Sequence, residues 1–278
     1  PMPDPVVLIS GCSSGIGRAL ADTFKAAGYS VWAGARKEAD LAQLSAAGFT
    51  AVALDVNDAN SIELASGRLE REAGRLDVLI NNAGYGGIAP LLDGGVEAMH
   101  RQFETNVYSL VGVTRACFGL LRASKGLVVN IGSVSGVLTT PFAGAYCASK
   151  AAAHALTDAL RMELAPFGIG VMEVQPGAIE SNFGANASQH AEQLINQSSA
   201  WWPLRDGIRA RANASQDKPT PASEFAAGVL RAVGRSPRPR LLRLGNGSHS
   251  LPLMARLLPQ GLLEKTLMQR FGLNRRLD

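Results

Sequence analysis

Short apolar runs alternate with longer stretches of helical periodicity along most of this chain. Val6 to Ser10 has no polar face and is closed by Gly11, which predicts a buried strand. Ile16 to Ala27 repeats apolar residues at helical spacing, and Gly28 suits the C-terminal stop. Ser30 to Ala35 predicts a second strand, Leu41 to Ala47 a short helix and Thr50 to Val56 a third strand. An amphipathic helix follows through Leu64, Leu69 and Ala73. Val78 to Ile80 predicts a fourth strand, ending in Asn81-Asn82-Ala83-Gly84. Val96 to Leu121 has the period of one long helix, and Leu127 to Ile131 is a fifth strand. Ala145 to Ala165 is a long alanine-rich helix, and Val171 to Val174 a sixth strand ending in Pro176-Gly177.

These strands are β-branched and almost uninterrupted in apolar character, as burial on both faces requires. Strict alternation of strand and helix predicts the α/β class, with a doubly wound parallel sheet of Rossmann type in a single domain. The pattern loosens over residues 182–222, where Asn, Ser, Gln and charges surround Trp201 and Trp202. A segment of that length predicts a lid over a site. A helix from Ser223 to about Val233 and a strand near Arg240 to Leu244 follow. Residues 246–278 are apolar and broken by Pro259-Gln260-Gly261, which predicts two short helices. The expected layout is a core over 6–181, a helical lid over 182–222, a last helix and strand over 223–245, and a C-terminal extension.

Composition narrows the classes. Of 278 residues, 46% are hydrophobic and 18% charged, enough for a sizeable core and too few charges for long disordered tracts. The net charge of +4 gives no dense basic face interleaved with aromatics, so no nucleic-acid partner is expected. Cys12, Cys117 and Cys147 are scattered, and His100, His154, His190 and His249 are isolated. Neither a disulfide framework nor a metal site is expected. Pro1-Met2-Pro3-Asp4-Pro5 lacks the basic start of a secretory signal, and no apolar run reaches the ~20 residues of a membrane span. A reducing, cytoplasmic setting is the expectation.

The chemistry concentrates in Tyr146-Cys147-Ala148-Ser149-Lys150, with Ser133 upstream. Lys150 lies one helical turn from Tyr146 on the same face, and its charge is expected to pull the phenol below its free pKa of about 10. Beside a serine hydroxyl, such a phenol can give a proton to a carbonyl oxygen or take one from an alcohol. Gly11-Cys12-Ser13-Ser14-Gly15-Ile16-Gly17 joins the first strand to a helix, where backbone N–H groups can approach a pyrophosphate. Asp55, with Val56 beside it, ends the third strand and can accept from an adenine amino group. Asn82-Ala83-Gly84 ends the fourth, at the carboxyl edge where ligands collect. The second strand ends in Gly34-Ala35-Arg36-Lys37 without a carboxylate for a ribose 2′-hydroxyl. Arg36 suits a 2′-phosphate instead, so NADP is expected over NAD.

Together with Asn106 and Pro176-Gly177, these residues resemble, in order and spacing, the short-chain dehydrogenase/reductase family from residue 6 to about 245. Ser10 stands where that family has threonine. The resemblance implies that Tyr146 is the general acid or base and that Ser133 orients the substrate carbonyl. It implies that Lys150 tunes Tyr146 and binds the nicotinamide ribose, and that Asn106, inside the long helix, holds a proton-relaying water. Ile179 would meet the carboxamide through its backbone, and Ser181 replaces the family's usual threonine. Within the family the chain is similar to NADP-dependent aldehyde reductases and to retinol or 17β-hydroxysteroid dehydrogenases. Val137, Leu138, Phe142 and Ala143 are mostly apolar, Trp201 and Trp202 are candidates to line a pocket, and no arginine is obviously placed for a substrate carboxylate. An apolar aldehyde, ketone or alcohol is therefore the expected substrate. A different class, a non-enzymatic NADP-binding regulator, would not need Tyr146 or Lys150. A homodimer through the two long helices is expected. The extension is expected to dock over the substrate site, with a subunit interface or weak membrane-surface contact as alternatives.

Overall fold

The computed structural model describes residues 3–277; Pro1 and Met2 of the N-terminal reading lie outside them. Seven strands form one parallel sheet: β1 (Val6–Ile9), β2 (Ser30–Ala35), β3 (Thr50–Ala53), β4 (Val78–Asn81), β5 (Leu127–Ile131), β6 (Gly170–Pro176) and β7 (Leu241–Leu244), in the order β3-β2-β1-β4-β5-β6-β7. Every residue of β1, β4 and β5 is buried, as their largely apolar character requires, and the two polar exceptions pair with each other, Asn81 Nδ2 donating to Asn130 Oδ1 at 2.8 Å.

Alternating side chains of β1 feed two cores. Val7 and Ile9 pack with Phe24 of α1 (Gly15–Ala26) and Phe225 and Val229 of α9 (Ala222–Val233). Val6 and Leu8 pack on the other face with Leu69 of α3 (Ala59–Glu72), and with Val113 and Leu121 of α5 (Ser109–Ser124). The sheet is thus covered on both sides, the doubly wound Rossmann-type arrangement. The remaining helices are α2 (Glu38–Ala46), α4 (Leu91–Phe103), α6 (Gly144–Leu164), α7 (Phe183–Leu194), α8 (Arg205–Asn213), α10 (Ser250–Leu257) and α11 (Gln260–Arg270). A third cluster joins Leu138, Phe142 and Cys147 to Leu204 and Ile208 around α8, and to Leu263, Leu267 and Phe271 at the chain's end. The extension therefore docks on its own domain.

Three expectations change. The single helix over 96–121 is α4 and α5 separated by a π-helical turn, Glu104–Tyr108, and α4 starts earlier and kinks at Gly95 (φ +61°). A π turn adds one residue without breaking the apolar stripe, so periodicity alone passes over it. β3 stops at Ala53, leaving Asp55 and Val56 in the loop beyond it. β6 is longer than its apolar run, because Glu173 and Gln175 are also buried in it. Among the described residues no helix is long and apolar enough to cross a membrane.

Candidate active site

β1 pairs with β2 on one side and β4 on the other, so the connections leave it in opposite directions and open a crevice at the strands' carboxyl ends. A cleft of about 930 Å³ lies there. Its floor is the glycine turn. Gly11 (φ +71°) and Gly15 (φ +57°) adopt left-handed conformations, and a Cβ on Gly17 would collide with the Gly11 carbonyl oxygen. Ser14 is the N-cap of α1 but its side chain makes no capping bond, and the first turn holds no acid. The first N–H groups of α1 thus keep their capacity for an anion. Ser10 ties this turn to the next strand: its Oγ accepts from the N–H groups of Asn82 (3.0 Å) and Ala83 (2.9 Å). Asn82 Nδ2 donates to the carbonyls of Ser10 and Gly11, both at 3.1 Å.

Arg36 and Lys37 are exposed at the end of β2, on the cleft wall. Asp55 is half-buried there, and one of its carboxylate oxygens accepts from Asn57 N–H at 3.0 Å. Of the residues expected to hold a cofactor, Gly11, Ser13, Ser14, Gly15, Ile16, Gly17, Arg36, Asp55, Val56, Asn82, Ala83, Gly84, Tyr146, Lys150, Pro176 and Ser181 all line the cleft. Gly177 and Ile179 do not. The Gly177 N–H is bonded to the Leu244 carbonyl (2.8 Å), and the Ile179 side chain turns into the first core. Ser181 meets the glycine turn from the lid side, its Cβ 3.2 Å from where a Cβ on Gly15 would sit.

The reactive end is built on α6. Tyr146 and Lys150 share one face of this helix, and both are buried. Lys150 Nζ donates to the Ile131 carbonyl at 3.1 Å, and burial lowers its pKa to about 8. The helical spacing predicts a phenol pKa lowered by Lys150; the structure reverses the direction. Burial of Tyr146 raises it, opposed by a hydrogen bond from Ser133 and by the charge of Arg211. Lys150 keeps its charge below pH 8, but the burial of the phenol outweighs the lowering that the spacing predicts. Ser133 Oγ accepts from Ser135 N–H at 3.0 Å, which leaves its own proton for the Tyr146 oxygen or for a carbonyl oxygen beside it. Asn106 is buried in the π turn: its Oδ1 accepts from Tyr85 N–H (3.1 Å), and its Nδ2 donates to the Tyr85 carbonyl (2.9 Å) and Ser149 Oγ (3.0 Å). Its side chain therefore fastens the loop after β4 to α6.

A match to the family model for short chain dehydrogenase covers residues 5–192. The chain belongs to the short-chain dehydrogenase family. It is 32% identical over 271 residues to a short-chain dehydrogenase/reductase of Pestalotiopsis microspora, covering 96% of this chain and 94% of that relative. It is 35% identical over 233 residues to an NADPH-dependent 1-acyldihydroxyacetone phosphate reductase of Schizosaccharomyces pombe, covering 82% and 78%. The crystal structure of a short-chain dehydrogenase from Streptomyces avermitilis matches with a TM-score of 0.79 at 29% identity, over 99% of this chain and 100% of that one. Short-chain dehydrogenases are NAD(P)-binding oxidoreductases, and the glycine turn, with space only for backbone at Gly17, fits such a dinucleotide.

The sequence reading of this short-chain dehydrogenase misses several residues. Phe183 packs on Tyr146 with the rings tilted at 49° and their centroids 5.5 Å apart. His154, set aside above as isolated, lies one turn beyond Lys150 and accepts the Ser133 N–H on Nε2 at 3.2 Å. Burial and the charge of Lys150 hold its pKa down near 4, so it is neutral. Its spacing from Lys150 was the available signal. Trp201 and Trp202 pack against the third cluster, and neither lines the cleft. Arg211, which no local pattern distinguishes, is buried near Tyr146.

Proposed function

We propose that this short-chain dehydrogenase is an NADP(H)-dependent oxidoreductase that moves a hydride between nicotinamide and an aldehyde, ketone or alcohol with an apolar body. The observation that carries this reading is one cleft with Tyr146 and Lys150 at one end and exposed Arg36 and Lys37 at the other. The N–H groups of the Gly11–Gly17 turn would hold the pyrophosphate, Arg36 the 2′-phosphate and Asp55 the adenine. Bound there, the nicotinamide supplies or accepts the hydride. Tyr146 gives its proton to the carbonyl oxygen, and the Ser133 O–H turns from Tyr146 to donate to the same oxygen. Lys150 holds the ribose and returns a proton to Tyr146. The raised phenol pKa keeps Tyr146 protonated at neutral pH, the state a proton donor in reduction needs. The NADPH dependence named for the fission-yeast relative agrees with this direction.

The test is turnover of apolar aldehydes and ketones with NADPH. Tyr146→Phe should lower kcat by ~10²–10⁴-fold and leave NADPH binding, read by fluorescence, nearly intact. Wild-type kcat in that variant, with chemistry rate-limiting, would show that Tyr146 is not the proton donor. Binding of NADPH without consumption by any carbonyl compound would favour the regulator. The chain should assemble as a homodimer through α5 and α6, where Val111 and Met162 leave apolar side chains exposed. A tetramer in sedimentation would overturn that assembly.

A further inference from the structure

Arg211 is a buried charge to which the chemistry above gives no task. It belongs to α8 and is 7% exposed. Its Nε donates to Thr140 Oγ1 at 2.6 Å, and its Nη2 stands 3.5 Å from Ser135 Oγ, the outer limit of a hydrogen bond. Among the described residues no carboxylate lies within ion-pair distance of it. Its other neighbours are the Cys147 thiol, the Tyr146 phenol and a like charge, Arg270. Everything around it is therefore neutral or positive. A guanidinium does not shed its proton under this pressure, and a buried charge without a counter-charge is costly.

The position of this charge indicates its use. Ser135 and Thr140 belong to the wall that begins at Ser133, and the Ser135 N–H is bonded to Ser133 Oγ. The guanidinium therefore lies against the wall that holds the reactive serine, on the lid side, and near enough to Tyr146 for its charge to affect the phenol. Nη1 donates to no oxygen or nitrogen among the described residues, and the Cys147 thiol is the guanidinium's one further polar partner there. Nη1 and Nη2 can together meet two oxygens of one anion, the geometry in which arginine binds carboxylates and phosphates best.

We infer that Arg211 binds an oxyanion of the substrate, a carboxylate or a phosphate monoester, carried close to the carbonyl that Ser133 and Tyr146 polarise. The inference rests on the oxidoreductase reading and sharpens it: the substrate is amphipathic, an apolar body carrying a charge that meets Arg211. A purely structural Arg211 would only tie α8 to Thr140, and would be indifferent to substrate charge.

The experiment compares kcat/KM with NADPH for 3-oxodecanoate and its methyl ester, and for 2-oxoundecyl phosphate and its dimethyl triester. The wild-type protein should prefer one anion over its neutral ester by roughly 10–100-fold. Which anion is preferred separates a carboxylate from a phosphate. Arg211→Met should abolish that preference, read as the ratio of anion to ester kcat/KM within the variant, and Arg211→Lys should restore part of it. Equal kcat/KM for anions and esters in the wild type, or a preference that survives Arg211→Met, would overturn the anchor. The wild-type comparison needs no variant to fold. Calorimetric binding of 3-hydroxydecanoate and of 2-hydroxyundecyl phosphate in the presence of NADP gives a readout without turnover. Binding of either that Arg211→Met removes, with no compound turned over, would keep the anchor and refute the oxidoreductase reading. Turnover of the esters as fast as the anions would do the reverse.

Discussion

Lys150 shows how burial at one position sets both a role and a cost. Its folded pKa is lowered from 10.5 to about 8 by desolvation. Between those values the unfolded chain binds more protons than the folded one, so stability rises with pH through that window. Below pH 8 the full desolvation penalty is present. Lys150→Met should therefore stabilise the chain at pH 7 by about 1–3 kcal/mol while removing turnover, the usual conflict between a site and its scaffold. Urea unfolding without added cofactor measures this, and the gain should shrink toward zero above pH 10.5. A variant less stable than wild type at pH 7 would mean that the Nζ bond to Ile131 outweighs desolvation. Arg36 is the opposite case, an exposed charge with little structural work. Arg36→Asp should weaken NADPH binding roughly 10–150-fold and NADH binding far less. Equal loss for both would show that Arg36 does not read the 2′-phosphate.

At the scale of elements, the Ser133 wall is held from beneath by two of them. His154 on α6 accepts the Ser133 N–H, and a Cβ on Gly132 or Gly136 would strike its ring. Glu173 of β6 lies 3.6 Å from the same nitrogen. The folded pKa of His154 is lowered from 6.5 to about 4, so the unfolded state binds the extra proton between those values. Its contribution to stability is therefore present above pH 6.5 and is lost as pH falls through that window, by up to about 3 kcal/mol. Glu173, raised by burial, works in the other direction, so comparison with His154→Gln isolates the histidine. The wild-type urea midpoint should fall more steeply than the variant's between pH 6.5 and 4; parallel curves would assign the acid sensitivity elsewhere. The strands and most helices around this wall were legible in the sequence, since a parallel sheet covered on both faces leaves uninterrupted apolar runs. The π turn at Asn106 was not, because its extra residue leaves the apolar stripe continuous.

At the scale of the whole molecule, the C-terminal extension clamps the lid. Leu263, Leu267 and Phe271 are buried against Leu204 and Ile208, and the Phe271 carbonyl rests where a Cβ on Gly207 would sit. α8, and with it Arg211, is thus sandwiched between the extension and the Ser133 wall. Each of the three large side chains contributes about 1.5–3 kcal/mol by burial. Deletion from Gly247 onward should lower solubility and raise KM for apolar substrates about tenfold, and NADPH affinity should persist, because the cleft is lined by residues before 194. A soluble truncated protein with unchanged kinetics would rule out a role for the extension over the substrate.

The sequence by itself determined the alternation of strand and helix, the glycine turn between β1 and α1, and the pairing of Tyr146 with Lys150. All are local: apolar period, allowed backbone angles and one helical turn suffice to specify them. Only the tertiary structure decided what surrounds those groups. Folding buries Lys150 and Tyr146 together, so their pKa values depend on desolvation by distant elements, and the direction for Tyr146 reversed. It turned the Ile179 side chain into the core, a contact that its place after Pro176-Gly177 does not reveal. It brought Arg211 of the lid to Thr140 and Ser135 of the catalytic wall. No periodicity joins positions so far apart in the chain; the packing of α8 between the wall and the extension does.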